Sequence, residues 1–202
     1  MAGLRDNQYR GCKGLVYAHV TADTEENYTT GEVKPFARVK SIGRTFEQSS
    51  ATVFADDQAI FVTTSAGVVT RTFETLAIDD GVLADVTGQF SEESSGLVIN
   101  KSSATPPYIA IGYIVSDTDN SEYYVWAYKC KVQTPETTSA TKDNGTESAG
   151  QSVTIDCVQT VHKFTKNGDG AVDLCVPKDT AGYNVATFFD TVTTPDNLVA
   201  KS

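Results

Sequence analysis

Two neighbouring stretches of sequence, residues 108–115 (YIAIGYIV) and residues 122–132 (EYYVWAYKCKV), decide the fold class. The first is apolar at nearly every position, which is typical of a central strand that is covered on both faces. The second alternates, and its apolar face is predicted to contain Tyr124, Trp126, Tyr128, Cys130 and Val132. Residues 117–121 between them have turn chemistry. Together they predict an antiparallel hairpin near the centre of a β-sheet.

The composition of the whole chain also favours a mainly β fold. The 202 residues include 27 Thr and 22 Val, which suit pleated, half-buried surfaces. A chain of this length can bury a core without disulfides or metal ions, so we expect one domain over residues 1–202. The sequence contains no apolar stretch of the kind that forms a signal peptide or a membrane span, so we expect no membrane partner.

The net charge of −10 excludes one large class of function. Tight binding of a phosphate backbone needs clustered Lys and Arg, whereas here the acidic excess is spread over both halves of the chain. No Lys or Arg occurs between Arg71 and Lys101. The acidic residues of that segment include Glu74, Asp79, Asp80 and Asp85. We interpret them either as an exposed helix surface or as an anionic wall.

Two short helices are predicted beside the strands. The first lies between Asp79, a suitable N-cap, and Gly88, which can adopt the left-handed conformation after a helix end. The second is predicted near the C-terminus from helical spacing of the apolar residues Ala181, Val185, Phe188, Phe189 and Val192. The predicted fold is therefore a β-sandwich or barrel-like sheet pair with one flanking short helix and a short C-terminal helix.

Residues 43–67 have a poor pattern and interrupt the succession of strands. Ser, Thr, Ala, Asp and Gln dominate, with Phe46, Phe54 and Phe61 isolated among them and Asp56 and Asp57 adjacent. We predict a long inter-strand excursion, either irregular or containing a hairpin of its own. Long segments of this kind inside compact domains are usually functional.

No catalytic, cofactor or metal site is predicted. Four cysteines, Cys12, Cys130, Cys157 and Cys175, lack the spacing of a zinc site, and we expect them to be structural and not disulfide-bonded. The two histidines, His19 and His162, lack the neighbours of a catalytic triad.

Two short acidic loops partly resemble calcium sites. Residues 117–128 begin like a calcium-binding loop but have Glu122 at the sixth position and Tyr128 at the twelfth, where Gly and Glu are required. Residues 167–170 (NGDG) are interpreted first as a tight turn.

Several stretches occur in an order that resembles one protein family. They are residues 14–18 (GLVYA), 50–57 (SATVFADD), 76–80 (LAIDD), 107–113 (PYIAIGY) and 123–129 (YYVWAYK). In this order they resemble the major tail proteins, or tail tube proteins, of long non-contractile-tailed phages. The resemblance covers most of the chain, although no single motif is diagnostic.

The resemblance implies a virion structural protein that assembles in the host cytoplasm and resides in the phage tail. Hexameric rings of such proteins stack into a tube that conducts DNA from the capsid. The implied partners are further copies of the chain, the tail terminator, tape measure and distal tail proteins, and passing double-stranded DNA that is not tightly bound. Residues 43–67 would be the loop that docks on the neighbouring ring, with contacts from Phe46, Phe54, Asp56, Asp57 and Phe61.

Two other functions remain open. A β-sandwich binding or decoration module of a virion or cell surface would need exposed aromatic residues at a concave site. A small β-rich enzyme ranks last, because the sequence shows no catalytic constellation. We therefore expect an assembly protein and not an enzyme.

Overall fold

A computed structural model describes residues 8–55, 58–92, 95–135, 150–178 and 183–198; for residues 48–55 and 59–66 it describes the backbone. The elements in chain order are β1 Tyr9–Asp23, β2 Tyr28–Thr30, β3 Lys34–Ala37, β4 Val39–Ala55, β5 Gln58–Thr75, α1 Asp80–Thr87, β6 Phe90–Glu92, β7 Leu97–Ile99, β8 Ile109–Asp117, β9 Glu122–Val132, β10 Gln151–Val158 and β11 Asp173–Pro177.

The predicted mainly β fold is confirmed. Within the described residues the main sheet has the antiparallel order β2-β1-β8-β9-β10-β5-β4, with β3 also paired to β1 and β11 to β9. After Arg38 alone, β3 continues into β4. The strand order therefore returns to β1 and the sheet closes on itself. The predicted central hairpin is β8 and β9.

Two apolar cores lie on the two faces of this closed sheet. The inner core contains buried residues of α1 and of six strands, which are β1, β3, β5, β8, β9 and β10. Among these residues are Phe73, Ile111, Val125 and Ile155. Among the described residues, the outer core lies on the β1, β2, β8, β9 and β11 side. Its central residue, Trp126, is fully buried and packs with Phe188 of the C-terminal segment. Since cores on both faces share strands β8 and β9, these strands are apolar on both sides.

The predicted single apolar face of β9 is wrong in its second half. Trp126 and Tyr128 belong to the outer core, but Cys130 and Val132 belong to the inner core. The register between β8 and β9 shifts between the pairs Ile109↔Cys130 and Ile111↔Ala127, as at a β-bulge. One extra residue reverses the faces of all residues beyond it.

Helix α1 forms where the sequence predicts it. Asp79 is the N-cap, and its Oδ1 accepts hydrogen bonds from the backbone N–H groups of Gly81 (2.9 Å) and Val82 (3.4 Å). Gly88 follows the helix with φ 73°, and a Cβ at this position would lie 2.4 Å from the carbonyl oxygen of Thr105. A side chain is therefore excluded at Gly88 by both conformation and space.

The predicted C-terminal helix is wrong for the described residues 183–198, which form turns. Hydrogen bonds of the i to i+3 type join Phe188 N–H to Val185 O and Asp190 N–H to Thr187 O. The apolar side chains that suggested a helix do pack together, because Phe188 and Val192 are buried on the outer core. Thr-rich sequence has low helix propensity, and this segment is held by tertiary contacts instead.

The expectation of unpaired cysteines is also wrong for two of the four. Cys130 on β9 and Cys157 on β10 are cross-strand partners with a Cα–Cα distance of 4.0 Å, and they form a disulfide. Cys12 and Cys175 are free. The pairing depends on the register of two strands that are far apart in sequence, so spacing alone does not reveal it.

Candidate functional site

The most unusual feature of the fold is a projecting hairpin. Strands β4 and β5 pair with each other from Gln48↔Ala66 to Ala55↔Gln58. Among the described residues no other strand pairs with this part, since the contact of β5 with β10 ends at Cys157↔Val69. We call residues 48–55 and 58–66 the arm. Its strands have eight and nine residues, which makes it about 26 Å long.

The arm begins at a break in strand register. The pairing of β4 and β5 shifts between Phe46 and Gln48, as at a β-bulge. Opposite it, Gly67 lies so close that a Cβ would be 3.0 Å from the carbonyl oxygen of Glu47. A bulge bends a strand and increases its twist, so this point sets the direction in which the arm leaves the sheet.

The structure places the predicted docking residues along this arm and at its base. Of the two predicted alternatives for this excursion, the described residues form the hairpin and not an irregular loop. Phe46 lies at the base, is 52 % exposed, and has the guanidinium of Arg44 4.2 Å from its ring centroid. Phe54 and Phe61 lie within the arm strands. Asp56 and Asp57 lie outside the described residues.

The acidic residues that the sequence singled out lie in different environments. Glu74, Asp79 and Asp80 are exposed, on β5 and at the start of α1. Asp79 and Asp80 line one cleft together with Asp85 and Glu92, between α1 and the β6–β7 hairpin. Glu74 is not among the residues that line this cleft. The anionic surface is therefore centred on the start of α1.

Asp85 has a structural role, because its carboxylate is paired with side chains of neighbouring strands. Its Oδ1 lies 2.9 Å from His19 Nε2, and its Oδ2 accepts from the hydroxyl of Tyr17 (2.8 Å) and lies 3.5 Å from Lys34 Nζ. Burial opposes ionisation of Asp85, but the hydrogen bonds from His19 and Tyr17 and the nearby positive charges outweigh it. The pKa of Asp85 consequently lies below its ordinary value. These contacts tie α1 to β1 and β3.

A second concave region lies at the far end of β9. A pocket of about 330 Å³ opens between β1, β4, β8, β9 and β11. Its apolar lining includes Tyr9, Ile42 and Val115, and its cations are Arg10, Lys40 and Arg44. By contrast, α1 shares a cleft with Thr134 and Pro135, just beyond the other end of β9. The helix and the pocket thus occupy opposite ends of the closed sheet.

A buried arginine lies behind the wall of this pocket. Arg71 is fully buried; its Nε donates to the hydroxyl of Tyr113 (3.3 Å) and its Nη2 to Oδ2 of Asp173. The same Asp173 oxygen also accepts from Arg44 Nη2 at 2.6 Å. The Nη1 of Arg71 has no hydrogen-bond partner among the described residues. One carboxylate therefore serves two guanidinium groups, and the region has excess positive charge.

Sequence reasoning missed this basic pocket. A usable signal was present, because Arg71 has the same strand parity as the buried residues Val69, Phe73 and Thr75. A charged residue at a core-facing position needs a partner. The partner, Asp173, lies about a hundred residues later in the chain, and only the tertiary fold brings it there.

The remaining candidates from the sequence, the two acidic loops and His162, make contacts that stabilise the local backbone. Asp117 Oδ1 accepts from the backbone N–H groups of Asp119 (3.0 Å) and Ser121 (2.9 Å), which is the geometry of a turn. Residues 167–170 turn the chain at Gly168, where φ is 68°. His162 donates its backbone N–H to Asp23 (3.0 Å). Within the described ranges no cluster of three or more His, Cys, Asp or Glu side chains could hold a metal ion.

Comparison with protein-family models and with curated protein sequences gives no match. In the part of the chain that the structure describes, no helix combines the length and the apolar character needed to cross a membrane.

Proposed function

We propose that this protein is a virion structural protein whose copies assemble into stacked hexameric rings, forming the tail tube of a long-tailed phage. The observation that supports this most is the arm, which pairs only with itself in the described residues. A two-stranded hairpin is marginally stable alone in water, and its open edges present unpaired backbone groups. Such an element is best explained by a second copy that pairs with it or covers it.

The anionic surface suits the same role. A tube that conducts DNA must surround phosphates without binding them, and exposed carboxylates repel a polyanion at short range. Asp79, Asp80 and Glu74 are exposed in the free subunit and lie on the segment that lacks Lys and Arg. We place the lumen on this side of the subunit as part of the proposal.

Microscopy of concentrated protein tests the assembly. We expect negative-stain images to show six-fold rings or tubes, and a variant with residues 48–66 replaced by an Asn-Gly turn to form neither. That variant should keep the urea midpoint of the full chain, because the described residues of both cores come from other parts of the chain. A full-length protein that stays monomeric at all concentrations would overturn the proposal. If the shortened variant still forms tubes, the arm is not required for assembly.

The role of the anionic surface is tested with phage particles. We expect Glu74→Lys with Asp80→Lys to slow DNA release while tubes remain intact, because attraction replaces repulsion. Neither residue is the helix cap, so α1 should persist. The neutral pair Glu74→Gln and Asp80→Asn is the matched control for changed shape without reversed charge. Release at the normal rate in the Lys variant would place the lumen on another face.

One observation favours the alternative of a binding or decoration module. The basic pocket has a size typical of small-molecule sites and contains aromatic and apolar lining residues. A binding module, however, does not explain a hairpin that pairs with no other strand among the described residues. The two functions separate on oligomeric state, which the microscopy above measures.

A further inference from the structure

The basic pocket carries positive charge that the described residues do not balance. Arg10, Lys40 and Arg44 line it, and the buried Arg71 lies behind its wall. The carboxylate among the lining residues is that of Asp173, which Arg44 and Arg71 share. In the described part of the chain, neither Arg10 nor Lys40 forms a salt bridge. Positive charge is therefore in excess here, although the protein as a whole has a net charge of −10.

Two hydrogen-bond donors at the buried wall of the pocket lack an acceptor among the described residues. One is Nη1 of Arg71, whose side chain is fully buried. The other is the hydroxyl of Tyr113, which accepts from Arg71 Nε at 3.3 Å but donates its own hydrogen to no described residue. A buried donor without an acceptor costs free energy, and in native structures it often marks the place of an ion or a water molecule. An anion bound at this wall would supply the missing acceptors.

The rest of the pocket is suited to an apolar body. Ile42, Val115 and Val125 line it, together with Tyr9 and Tyr123. The two tyrosine rings are in an edge-to-face arrangement with their centroids 6.2 Å apart. A volume of about 330 Å³ lies at the lower end of the range for small-molecule sites. The pocket therefore fits a small organic molecule with one charged end and not a polymer.

The donors at the wall favour a carboxylate as the charged end. A guanidinium pairs with a carboxylate in one plane through two parallel hydrogen bonds, and a tyrosine hydroxyl adds one more donor. Arg44 and Tyr113 present these two kinds of donor, and Arg44 is the arginine of the pair that solvent reaches, with its side chain 41 % exposed. Two donors match the two oxygens of a carboxylate better than the three terminal oxygens of a phosphate.

We propose that the basic pocket binds a small organic carboxylate with an aromatic or aliphatic body. The carboxylate accepts hydrogen bonds from the hydroxyl of Tyr113 and the guanidinium of Arg44, while the body packs on the apolar lining. Arg10 and Lys40 attract the anion and speed its entry. This site goes beyond the proposed assembly, because it is complete within one copy of the chain.

Titration of the full chain with three carboxylates tests the chemistry of the ligand. The probes are indole-3-acetate, 3-phenylpropionate and octanoate, each compared with its own primary amide by calorimetry. We expect at least one carboxylate to bind with a Kd below about 1 mM and its amide to bind at least about tenfold more weakly, because the amide cannot make the charge-assisted hydrogen bonds.

Variants test the residues of the site. Arg44→Gln should weaken the binding of that carboxylate at least about tenfold and leave the binding of its amide nearly unchanged. Lys163→Gln removes an exposed charge outside the pocket and is the matched control, which should bind like the wild type. Tyr113→Phe should also weaken binding of the carboxylate, and its urea midpoint shows whether the fold is retained.

Natural thiols report where the carboxylate binds. Cys12 and Cys175 line the pocket and are free, whereas Cys130 and Cys157 form the disulfide. Saturating carboxylate should slow the alkylation of Cys12 and Cys175 by N-ethylmaleimide several-fold, as measured by peptide mass mapping. The amide at the same concentration is the control and should protect much less.

Each outcome decides the proposal. It is overturned if no carboxylate of the panel reaches the expected affinity, if acid and amide bind equally, or if binding leaves both thiols unprotected. Equal competition by inorganic phosphate would assign the pocket to phosphates instead. Protection that appears without ligand and rises with protein concentration would place a second copy on the pocket. Rings and tubes are scored separately by microscopy, so the failure of the assembly and the failure of this site are distinguishable.

Discussion

The body of the protein and its arm are built from the same strands, β4 and β5, yet they differ in what holds them. In the body, β5 has a neighbour on each side, and its residues Val69 and Phe73 are buried. In the arm, β5 pairs with β4 and, among the described residues, with no other strand. The body therefore combines a core with strand pairing on both sides, whereas a two-stranded hairpin by itself is only marginally stable in water.

The largest effect expected from this difference is at Trp126. Trp126→Ala should lower the free energy of unfolding by about 3–5 kcal/mol, because it empties the centre of the outer core and removes the hydrogen bond to Phe188 O (2.9 Å). Gln58→Ala, at an exposed position of the arm, should change it by less than about 0.5 kcal/mol. Urea denaturation measures both; equal losses would mean that the arm unfolds together with the body.

The buried charge of the body should give the next largest effect. Asp173→Ala should cost about 3 kcal/mol, because it leaves the fully buried guanidinium of Arg71 without its carboxylate. Arg71→Met should cost clearly less, because it removes the buried charge and leaves Asp173 paired with Arg44. Urea midpoints of the two variants check this order. If Arg71→Met costs more than Asp173→Ala, the packing of the arginine side chain contributes more to stability than its ion pair with Asp173.

The smallest effect concerns the attachment of α1 and depends on pH. The pKa of Asp85 is lowered in the folded state, so its ionised form stabilises the protein above the unfolded pKa of about 4, and this contribution is lost as pH falls through the folded pKa. Asp85→Asn should therefore cost about 1 kcal/mol or less at pH 7, and less at pH 2 than at pH 7.

Urea titrations of both proteins at the two pH values measure this difference. Asp80→Asn, which changes an exposed carboxylate on the same helix, is the control. A difference between wild type and Asp85→Asn that stays constant with pH would assign the effect to shape and not to charge.

The arm was only partly predictable from the sequence, because its residues show little apolar alternation. Periodic apolar residues identify a strand because one of its faces must be buried in the same chain. Residues 48–66 show little of this pattern, so the sequence predicted an excursion in which a hairpin was one of two possibilities. The paired backbone over Gln48↔Ala66 to Ala55↔Gln58 is what the structure added.

The C-terminal segment shows the opposite error. Its apolar residues have helical spacing, but Thr187, Thr191 and Thr193 favour other conformations, and turns place Phe188 on Trp126 equally well. The spacing of the apolar residues predicted that they pack against the rest of the protein, but it did not predict their backbone conformation.

The sequence by itself determined the strand-rich class, the central β8–β9 hairpin and helix α1, because these depend on local propensity, turn chemistry and capping. Only the tertiary structure decided the bulge in β9, the Cys130–Cys157 disulfide and the assembly of Arg71, Tyr113 and Asp173 beside one pocket. These features depend on strand register between distant segments, and register follows from how the closed sheet packs as a whole.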